Sequence, residues 1–305
     1  MKTLPLLSQV EEYAATGQYT VVPISTEILS DFITPIEAVR ILKNVSEHCY
    51  LLESAVSNEQ WGRYSFLGYD PIMDITCVDG VIQSGEQTCR TDNPSDHVRS
   101  ILNNYRSPRL NYLPAFTGGL VGYFSYDYIT YSEPTVRRDV KDTENFKDMD
   151  VMLFDKVIAF DHVQQKIILI VNMRLDNMPH CDAVDSADRH ASCLAQRYEQ
   201  AQQELARMVS VLKTGEKYVE PASAITGPIT PLFSKERFSA MIEKAQHHIH
   251  EGDIFQIVLS NRLSAPFEGS LFNTYRVLRT INPSPYMFYF SGTDVEVAEL
   301  PQKLW

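Results

Sequence analysis

Residues 151–173 read VMLFDKVIAFDHVQQKIILIVNM, and this stretch has the pattern of a β-hairpin. Two apolar runs, Val151 to Phe160 and Lys166 to Met173, lie on either side of the polar segment Asp161–Gln165. Apolar runs rich in Val, Ile and Phe are typical of strands, and the short polar segment predicts a hairpin between them. Strands joined by a hairpin are antiparallel. The stretch therefore predicts a buried antiparallel sheet.

Short helical and strand-like segments alternate before this hairpin. Thr34-Pro35-Ile36-Glu37 predicts the start of a helix, because Thr34 is a good N-cap and Glu37 can close a capping box. The remaining segments are predicted strands at Cys49–Ser54, Ser65–Gly68 and Ile72–Val78, and a predicted helix at residues 94–105. The pattern of helical and strand-like segments predicts an α+β fold.

The longest helical pattern covers residues from about 183 to 213, and Gly215 ends it. The segment from Val219 to Pro231 carries three prolines and is predicted to be a linker. Beyond it, Ser234 predicts a helix N-cap, and an apolar face follows at Phe238, Met241, Ile242, Ala245 and Ile249. The remaining predictions are a strand at Asp253–Arg262, a helix at Leu271–Ile281, and strands at Met287–Phe290 and Val295–Ala298.

Composition excludes several classes of protein. The chain has 305 residues, 39 acidic against 27 basic side chains, and a formal charge of −12, which argues against a nucleic-acid partner. We expect no membrane span, because no apolar run approaches the ~20 residues that one needs. The five cysteines are odd in number and lack CxxC spacing, so we expect reduced thiols and a cytoplasmic location. The histidines form no metal-binding motif.

Three glycines, Gly118, Gly119 and Gly122, precede a tyrosine-rich segment. Their spacing does not match a dinucleotide-binding fingerprint, and no clear helix follows. We expect them to permit a bend in a sheet or a close approach between backbones.

Two further motifs suit a small ligand. Glu53 and Ser54 end a predicted strand, and together an acid and a hydroxyl could hold an ammonium group and a carboxylate. In residues 282–289, NPSPYMFY, two prolines fix a turn and an aromatic run supplies flat apolar surface for a planar ligand. Each motif alone is more typical of ordinary structure, a solvated glutamate in one case and a packed aromatic strand in the other.

Four motifs in this order resemble anthranilate synthase component I. They are LLESAVSNEQWGRYSFLGYDP from residue 51, GGLVGYFSYDYI from residue 118, EGDIFQIVLSNR from residue 251 and INPSPYMFYF from residue 281. The resemblance covers the chain from about residue 8 to Ala298. It implies conversion of chorismate to anthranilate and pyruvate with Mg²⁺, ammonia supplied by a glutamine amidotransferase partner, and inhibition by L-tryptophan at a separate site.

The resemblance also implies antiparallel sheets with surrounding helices, together with site residues and domains. The serine of LLES and the Pro-Tyr-Met of NPSPYM bind tryptophan in the family, which carries over to Ser54, Pro285, Tyr286 and Met287, with Glu53 adjacent. Residues 1–225 would be the N-terminal regulatory domain. Residues 226–305 would be the opening segment of the chorismate-binding domain.

The family's catalytic histidine, magnesium-binding glutamates and chorismate-gripping residues follow the NPSPYM strand, and none of them carries over to this sequence. We therefore expect no catalytic residue and no metal ligand here, and no activity from the chain alone. We also expect strands after the linker to lack partners, with exposed aromatic side chains such as Phe255, Phe288 and Phe290.

The last seven residues, Glu299 to Trp305, read ELPQKLW, where the family pattern is Gly-Ala-Ser-Pro-Glu-Thr-Leu-Val. One nucleotide string encodes both when a single base is dropped, so we expect a frameshift that truncates the family sequence. Two alternatives to anthranilate synthase stay open. They are aminodeoxychorismate synthase component I, and a non-enzymatic remnant that binds tryptophan or the amidotransferase.

Overall fold

The computed structural model describes residues 2–54, 62–133, 135–136, 146–176 and 186–299, with the backbone alone at 186–190 and 299. The tail from residue 300, to which the frameshift expectation applies, lies outside the described residues. The chain forms two compact units. The first unit combines residues 1–219 with residues 275–305, and the second is Glu220–Thr274. The predicted division into family domains at residue 225 stays a prediction.

The helices and strands of the described residues are numbered in chain order. The strands are β1 (Thr3–Leu4), β2 (Val21–Leu29), β3 (Cys49–Glu53), β4 (Tyr64–Tyr69), β5 (Met73–Val78), β6 (Val81–Ser84), β7 (Gln87–Arg90), β8 (Gly119–Phe124), β9 (Met149–Phe154), β10 (Lys156–Asp161), β11 (Lys166–Arg174), β12 (Ala224–Ile225), β13 (Thr230–Pro231), β14 (Leu263–Ser264), β15 (Phe267–Glu268), β16 (Met287–Ser291) and β17 (Glu296–Glu299). The helices are α1 (Leu7–Ala15), α2 (Pro35–Leu42), α3 (Pro94–Asn103), α4 (Ser186–Thr214), α5 (Lys235–His250) and α6 (Leu271–Ile281), with a 3₁₀ helix at Tyr126–Tyr131.

Two antiparallel sheets build the first unit. The larger has the order β1-β2-β11-β10-β4-β3-β16-β17, and the smaller has the order β7-β6-β5-β9-β8. Helix α4 packs on β11 and β2, and α2 packs on β3 and β4. The predicted α+β class, with antiparallel sheets and surrounding helices, is therefore confirmed.

The capping predictions hold at two helices. The Thr34 side chain accepts a hydrogen bond from the Glu37 backbone N–H at 3.3 Å, and α2 starts at Pro35. The Ser234 side chain accepts in the same way from the Arg237 N–H, and α5 follows it. Each cap satisfies a backbone donor that the first helical turn leaves without a partner.

The apolar run at 151–160 is two strands, which corrects the prediction of one. The run breaks at Asp155, where the chain leaves the smaller sheet after β9 and enters the larger sheet as β10. Every residue of β9 and β10 is buried. The sequence therefore has no alternation of apolar and polar residues that could mark where one strand ends and the next begins. The predicted hairpin between β10 and β11 is confirmed, and Asp161 pairs with Lys166 at its end.

An aromatic core lies between the two sheets. Tyr50, Met152, Phe154 and Phe290 are buried there, and the rings of Tyr50 and Phe154 meet edge to face at 4.8 Å. The expectation of an exposed Phe290 is therefore wrong, and Phe288 is also partly buried against this core. Both side chains gain this burial because β16 lies between β3 and β17 in the larger sheet.

The glycine-rich segment at 118–122 permits close backbone approach, as expected. A Cβ atom added at Gly122 would lie 2.0 Å from the carbonyl oxygen of Asp150 on the neighbouring strand β9. A side chain at this position would therefore force the two strands apart.

The second unit contains less regular structure. Its strands are two residues long, in the pairs β12–β15 and β13–β14. The predicted strand at Asp253–Arg262 is wrong, because residues 254–262 form neither helix nor strand and Phe255 is fully exposed. An alternating pattern forms a strand only when a partner satisfies its backbone groups. Helix α6, predicted at Leu271–Ile281, is confirmed.

Among the described residues, none of the helices is both long enough and apolar enough to cross a bilayer.

Candidate functional site at the margin of strands β3 and β16

The two motifs predicted to bind a ligand meet in the larger sheet. Strands β3 and β16 are antiparallel neighbours, and Met287 lies directly opposite Glu53 in their ladder. Ser54 follows Glu53 along the chain, while Pro285 and Tyr286 immediately precede Met287. The structure therefore brings all five candidate residues to the same end of this strand pair. That they bind tryptophan stays a prediction.

Glu53 is the buried acid of this site. Its side chain is only 4% exposed. Oε2 accepts a hydrogen bond from the Tyr275 hydroxyl at 2.8 Å, and Oε1 accepts one from Arg279 Nη2 at 3.0 Å. Burial raises the pKa of the Glu53 carboxyl, while the nearby Arg279 charge acts to lower it. Each oxygen keeps acceptor capacity beyond its one donor, so the carboxyl group can still bind a further N–H.

Tyr275 and Arg279 were not among the predicted site residues. They lie four residues apart on α6, in the part that belongs to the first unit, so both side chains project from the same helix face. Burial, and then the Glu53 charge, raises the pKa of the Tyr275 hydroxyl, which keeps that group protonated as a donor. One sequence signal could have identified them. Tyr275 and Arg279 are two hydrogen-bond donors four residues apart on a predicted helix, and the candidate acid Glu53 needs donors when it is buried.

The NPSPYM turn presents an exposed ring next to a buried side chain. Tyr286 is 60% exposed, whereas Met287 is buried. Ser284 is buried, and its Oγ accepts a hydrogen bond from the Tyr286 N–H at 3.4 Å. The turn therefore fixes the backbone of Tyr286 and leaves the aromatic ring accessible.

A second polar cluster lies further along β16. The Tyr289 hydroxyl donates to Glu296 Oε1 at 2.6 Å and accepts from Lys43 Nζ at 3.3 Å. The Lys43 ammonium also lies 3.7 Å from the Glu296 carboxylate. Because Lys43 follows α2 and Glu296 begins β17, this cluster ties the C-terminal hairpin to the N-terminal part of the chain.

A family model described as chorismate binding enzyme matches residues 47–298. The chain belongs to this family. The match includes both strands of the candidate site, and it covers most of the chain.

Two relatives of the chain have the same name. The chain is 34% identical over 295 residues to "Anthranilate synthase component 1" of Acetivibrio thermocellus, covering 93% of this chain and 56% of that relative. It is 31% identical over 293 residues to the protein of the same name from Bacillus subtilis (strain 168), covering 93% of this chain and 55% of that relative. The resemblance to anthranilate synthase component I is therefore confirmed. The chain spans little more than half the length of these relatives.

A solved structure supports the fold of the family member. The crystal structure of anthranilate synthase component I from Streptococcus pneumoniae TIGR4 superposes with a TM-score of 0.58 at 24% identity. The superposition covers 86% of this chain and 54% of that one. At this identity the likeness shows the fold alone.

Magnesium has no matching site in the part of this family member that the structure describes. No group of three or more His, Cys, Asp or Glu side chains there is arranged to hold a metal ion. Mg²⁺ takes oxygen ligands in near-octahedral geometry, with carboxylates among them. The described residues therefore do not fit the ion.

Proposed function

We propose that this chain carries the tryptophan-responsive part of an anthranilate synthase component I. The observation that supports the proposal is the pairing of Met287 with Glu53, which joins two distant sequence motifs into one site. The chemistry of the site suits an aromatic amino acid, because it offers an acid, a hydroxyl and an accessible aromatic ring.

In this proposal the α-ammonium group of L-tryptophan donates to Glu53, and the Ser54 hydroxyl binds the amino-acid head. The indole ring packs on Tyr286 and Pro285, with Met287 forming the apolar floor. Tyr275 and Arg279 act as positioning residues, since they hold the Glu53 carboxyl in place from α6. A ligand that bridges β3 and β16 would stabilise their pairing, which is how binding could influence the rest of the molecule.

The wider reaction also belongs to the proposal. Chorismate would be the substrate, with ammonia delivered by a glutamine amidotransferase subunit and Mg²⁺ as cofactor. We place the protein in the cytoplasm, and the described cysteines Cys49, Cys77, Cys89 and Cys193 form no disulfide, in keeping with a reducing compartment. No catalytic step is assigned to a residue of this chain.

Calorimetry with the full chain tests the ligand. We expect L-tryptophan to bind, and D-tryptophan to bind at least about tenfold more weakly because its ammonium cannot reach Glu53 with the indole in place. Tyr286→Ala should weaken L-tryptophan binding by about tenfold or more. Tyr126→Ala is the matched control, since Tyr126 is also an exposed tyrosine of the first unit and lies away from this site.

Two results would contradict the proposal. One is the absence of binding heat with L-tryptophan at about 10 mM, the upper range for a specific small-ligand site. The other is an equal loss of affinity in Tyr286→Ala and Tyr126→Ala. Binding of the amidotransferase subunit without binding of tryptophan would favour the remnant alternative instead.

The lack of activity in the isolated chain stays a prediction. With chorismate, Mg²⁺ and ammonia, we expect no anthranilate fluorescence above a control without protein. Fluorescence that grows with protein concentration would show this prediction to be wrong.

A further inference from the structure

A cavity of about 510 Å³ lies inside the first unit, away from the β3–β16 site. Strand β11, the turn between β9 and β10, and helix α4 all contribute to its wall. The helix contributes Arg197, Gln200, Ala201 and Glu204, whose spacing places them on one face. The volume lies within the range of small-molecule sites in proteins.

Asp155 contributes a carboxyl group to this cavity. Its Oδ1 atom is buried and has no hydrogen-bond partner. The backbone of Asp155 is held firmly, because its carbonyl oxygen accepts from the Asn172 backbone N–H at 2.9 Å and from Asn172 Nδ2 at 3.0 Å. Burial raises the pKa of the Asp155 carboxyl, and the neighbouring Lys156 charge opposes that effect. Buried polar atoms without partners are uncommon in folded proteins, so this one calls for a donor.

The other charged groups on the cavity wall already have partners. Arg174 Nε donates to Asp176 Oδ1 at 2.7 Å. Glu204 accepts two hydrogen bonds from Arg207, at 2.7 and 2.8 Å. Arg197 Nη1 donates to the carbonyl oxygens of Arg174 and Asp176. Among the described charged groups of the wall, Asp155 is therefore the one whose carboxyl group lacks a hydrogen-bond donor at one oxygen.

The rest of the wall is largely apolar. Ile72, Val171, Met173 and Ala201 contribute aliphatic surface. Tyr105 contributes an aromatic ring, and the Arg174 guanidinium lies 4.3 Å from its centre. A ligand for this cavity therefore needs an apolar body and one group that donates a hydrogen bond.

We propose that this cavity binds a small organic ammonium ion, a primary amine with an apolar or aromatic body, whose N–H groups donate to the Asp155 carboxyl group after that group turns to open Oδ1 to the cavity. A cation is favoured over a neutral donor because hydrogen bonds between charged groups are stronger. A cation also balances the charge of Asp155, which is the only described carboxylate on the wall with an oxygen that lacks a hydrogen-bond partner. The proposal does not depend on the proposed function, since the two sites share no residue.

Benzylamine is the test probe, and benzyl alcohol is the uncharged control of similar size. Calorimetry with the full chain near neutral pH should show benzylamine binding at least about tenfold more tightly than benzyl alcohol. Asp155→Asn should weaken benzylamine binding by about tenfold or more. Glu199→Gln changes an exposed carboxylate on α4, the helix that contributes to the cavity wall, and should leave the affinity unchanged.

A second measurement does not depend on a variant that folds. In the wild-type chain, carboxyl ¹³C NMR should show that benzylamine lowers the apparent pKa of Asp155, because a bound cation favours the ionised form. Benzylamine affinity should accordingly fall as the pH is lowered through that pKa. Equal affinity for the amine and the alcohol, no binding at about 10 mM, or an Asp155 pKa that does not respond would each overturn the proposal.

Discussion

Helices α2 and α5 have the same signals in sequence and different surroundings in the structure. Each helix follows a capping Thr or Ser, whose side chain accepts a hydrogen bond from the backbone N–H three residues later. Both helices also carry an apolar face. In α2, in the first unit, Ala38, Val39, Ile41 and Leu42 are all buried. In α5, in the second unit, Ala245 alone is buried among the residues of the helix. Capping and periodicity thus predict a helix, while burial requires neighbouring strands and helices that the local sequence does not specify.

The same contrast separates β16 from residues 254–262. Both segments were predicted strands with aromatic residues. Strand β16 has β3 on one side and β17 on the other, whereas residues 254–262 are outside any sheet. A strand pattern therefore forms a strand only where the fold supplies hydrogen-bonding neighbours.

Hydrogen exchange should show the largest difference between the two regions. We expect amides of β16 to exchange at least about 10³-fold more slowly than amides of residues 254–262, because paired strands of a packed sheet open only with a large part of the protein. Exchange measured by NMR or mass spectrometry, with β3 as the internal reference, checks this expectation. Similar rates in β16 and in 254–262 would break the comparison.

A pair of aromatic truncations should differ almost as much. Tyr289→Ala removes a side chain that is fully buried and hydrogen-bonded to Lys43 and Glu296, so we expect a loss of about 3–5 kcal/mol in the free energy of unfolding. Phe255→Ala changes a fully exposed ring and should alter that free energy by less than about 0.5 kcal/mol. Urea denaturation measures both variants. A large loss in Phe255→Ala would mean that this ring packs in solution.

The two helices allow a matched comparison of isoleucines. Ile41 on α2 is buried and Ile249 on α5 is exposed. We expect Ile41→Ala to lower the free energy of unfolding by about 2–4 kcal/mol and Ile249→Ala by less than about 1 kcal/mol. If the two losses are equal in denaturant titrations, α5 buries its apolar face and the difference between the units is smaller than described.

Glu53→Gln should have a moderate effect within the packed unit. The variant puts an amide NH₂ group, which cannot accept, in place of a carboxyl oxygen that accepts from Tyr275 or Arg279, and the lost hydrogen bond predicts about 1–2 kcal/mol of destabilisation near neutral pH. The pH dependence has a defined sign, since the pKa of Glu53 is raised by folding. Its protonated form contributes stability below the ordinary glutamate pKa, and that contribution is lost as the pH rises through the raised value. Urea denaturation of the wild type and of Glu53→Gln measures this effect. As the pH rises from the ordinary glutamate pKa through the raised pKa, the wild type should lose stability relative to the variant.

The control for this prediction is Glu11→Gln, which changes an exposed glutamate of α1. We expect it to leave both the stability and its pH dependence unchanged. An identical response in the two variants would show that Glu53 has no special environment.

Asp155→Asn should have the smallest effect on stability, and in the opposite direction. It replaces a carboxyl whose pKa burial raises by a neutral amide of nearly the same shape. Near neutral pH we expect the melting temperature to rise by about 1–3 °C, because the variant removes the cost of an ionised group with a buried unpartnered oxygen. The advantage should shrink as the pH falls, when the wild-type carboxyl becomes protonated. A lower melting temperature near neutral pH would mean that Asp155 stabilises the fold in its ionised form.

Much of the first unit follows from the sequence, and its exceptions have physical causes. The hairpin after Phe160 and the start of α2 at Pro35 were predicted because their signals are local. The break at Asp155 was not, since strands buried on both faces show no alternation that could mark a change of sheet. The order of strands depends on long-range pairing that hydrophobicity does not encode.

The candidate site shows the same division. The motifs at Glu53 and at Pro285–Met287 were identified from the sequence, and the structure places them side by side. Tyr275 and Arg279 were missed, because their spacing on α6 places them on one helix face but does not tell that this face meets β3. The lack of a hydrogen-bond partner at Asp155 Oδ1 was not predicted either. It depends on how the other charged groups around the cavity are paired, and the sequence does not show that pairing.

The position of β16 between β3 and β17 has a consequence for synthesis on the ribosome. The chain leaves the first unit at Val219 and returns at Tyr275, which lies 222 residues after its hydrogen-bond partner Glu53. At about 5–20 residues per second, translation of that interval takes roughly 10–45 s. Throughout this time β3 is the outermost strand of a growing sheet, with its backbone donors and acceptors open to other chains. The nascent protein thus depends on β16 and β17 to cover the edge that β3 leaves exposed.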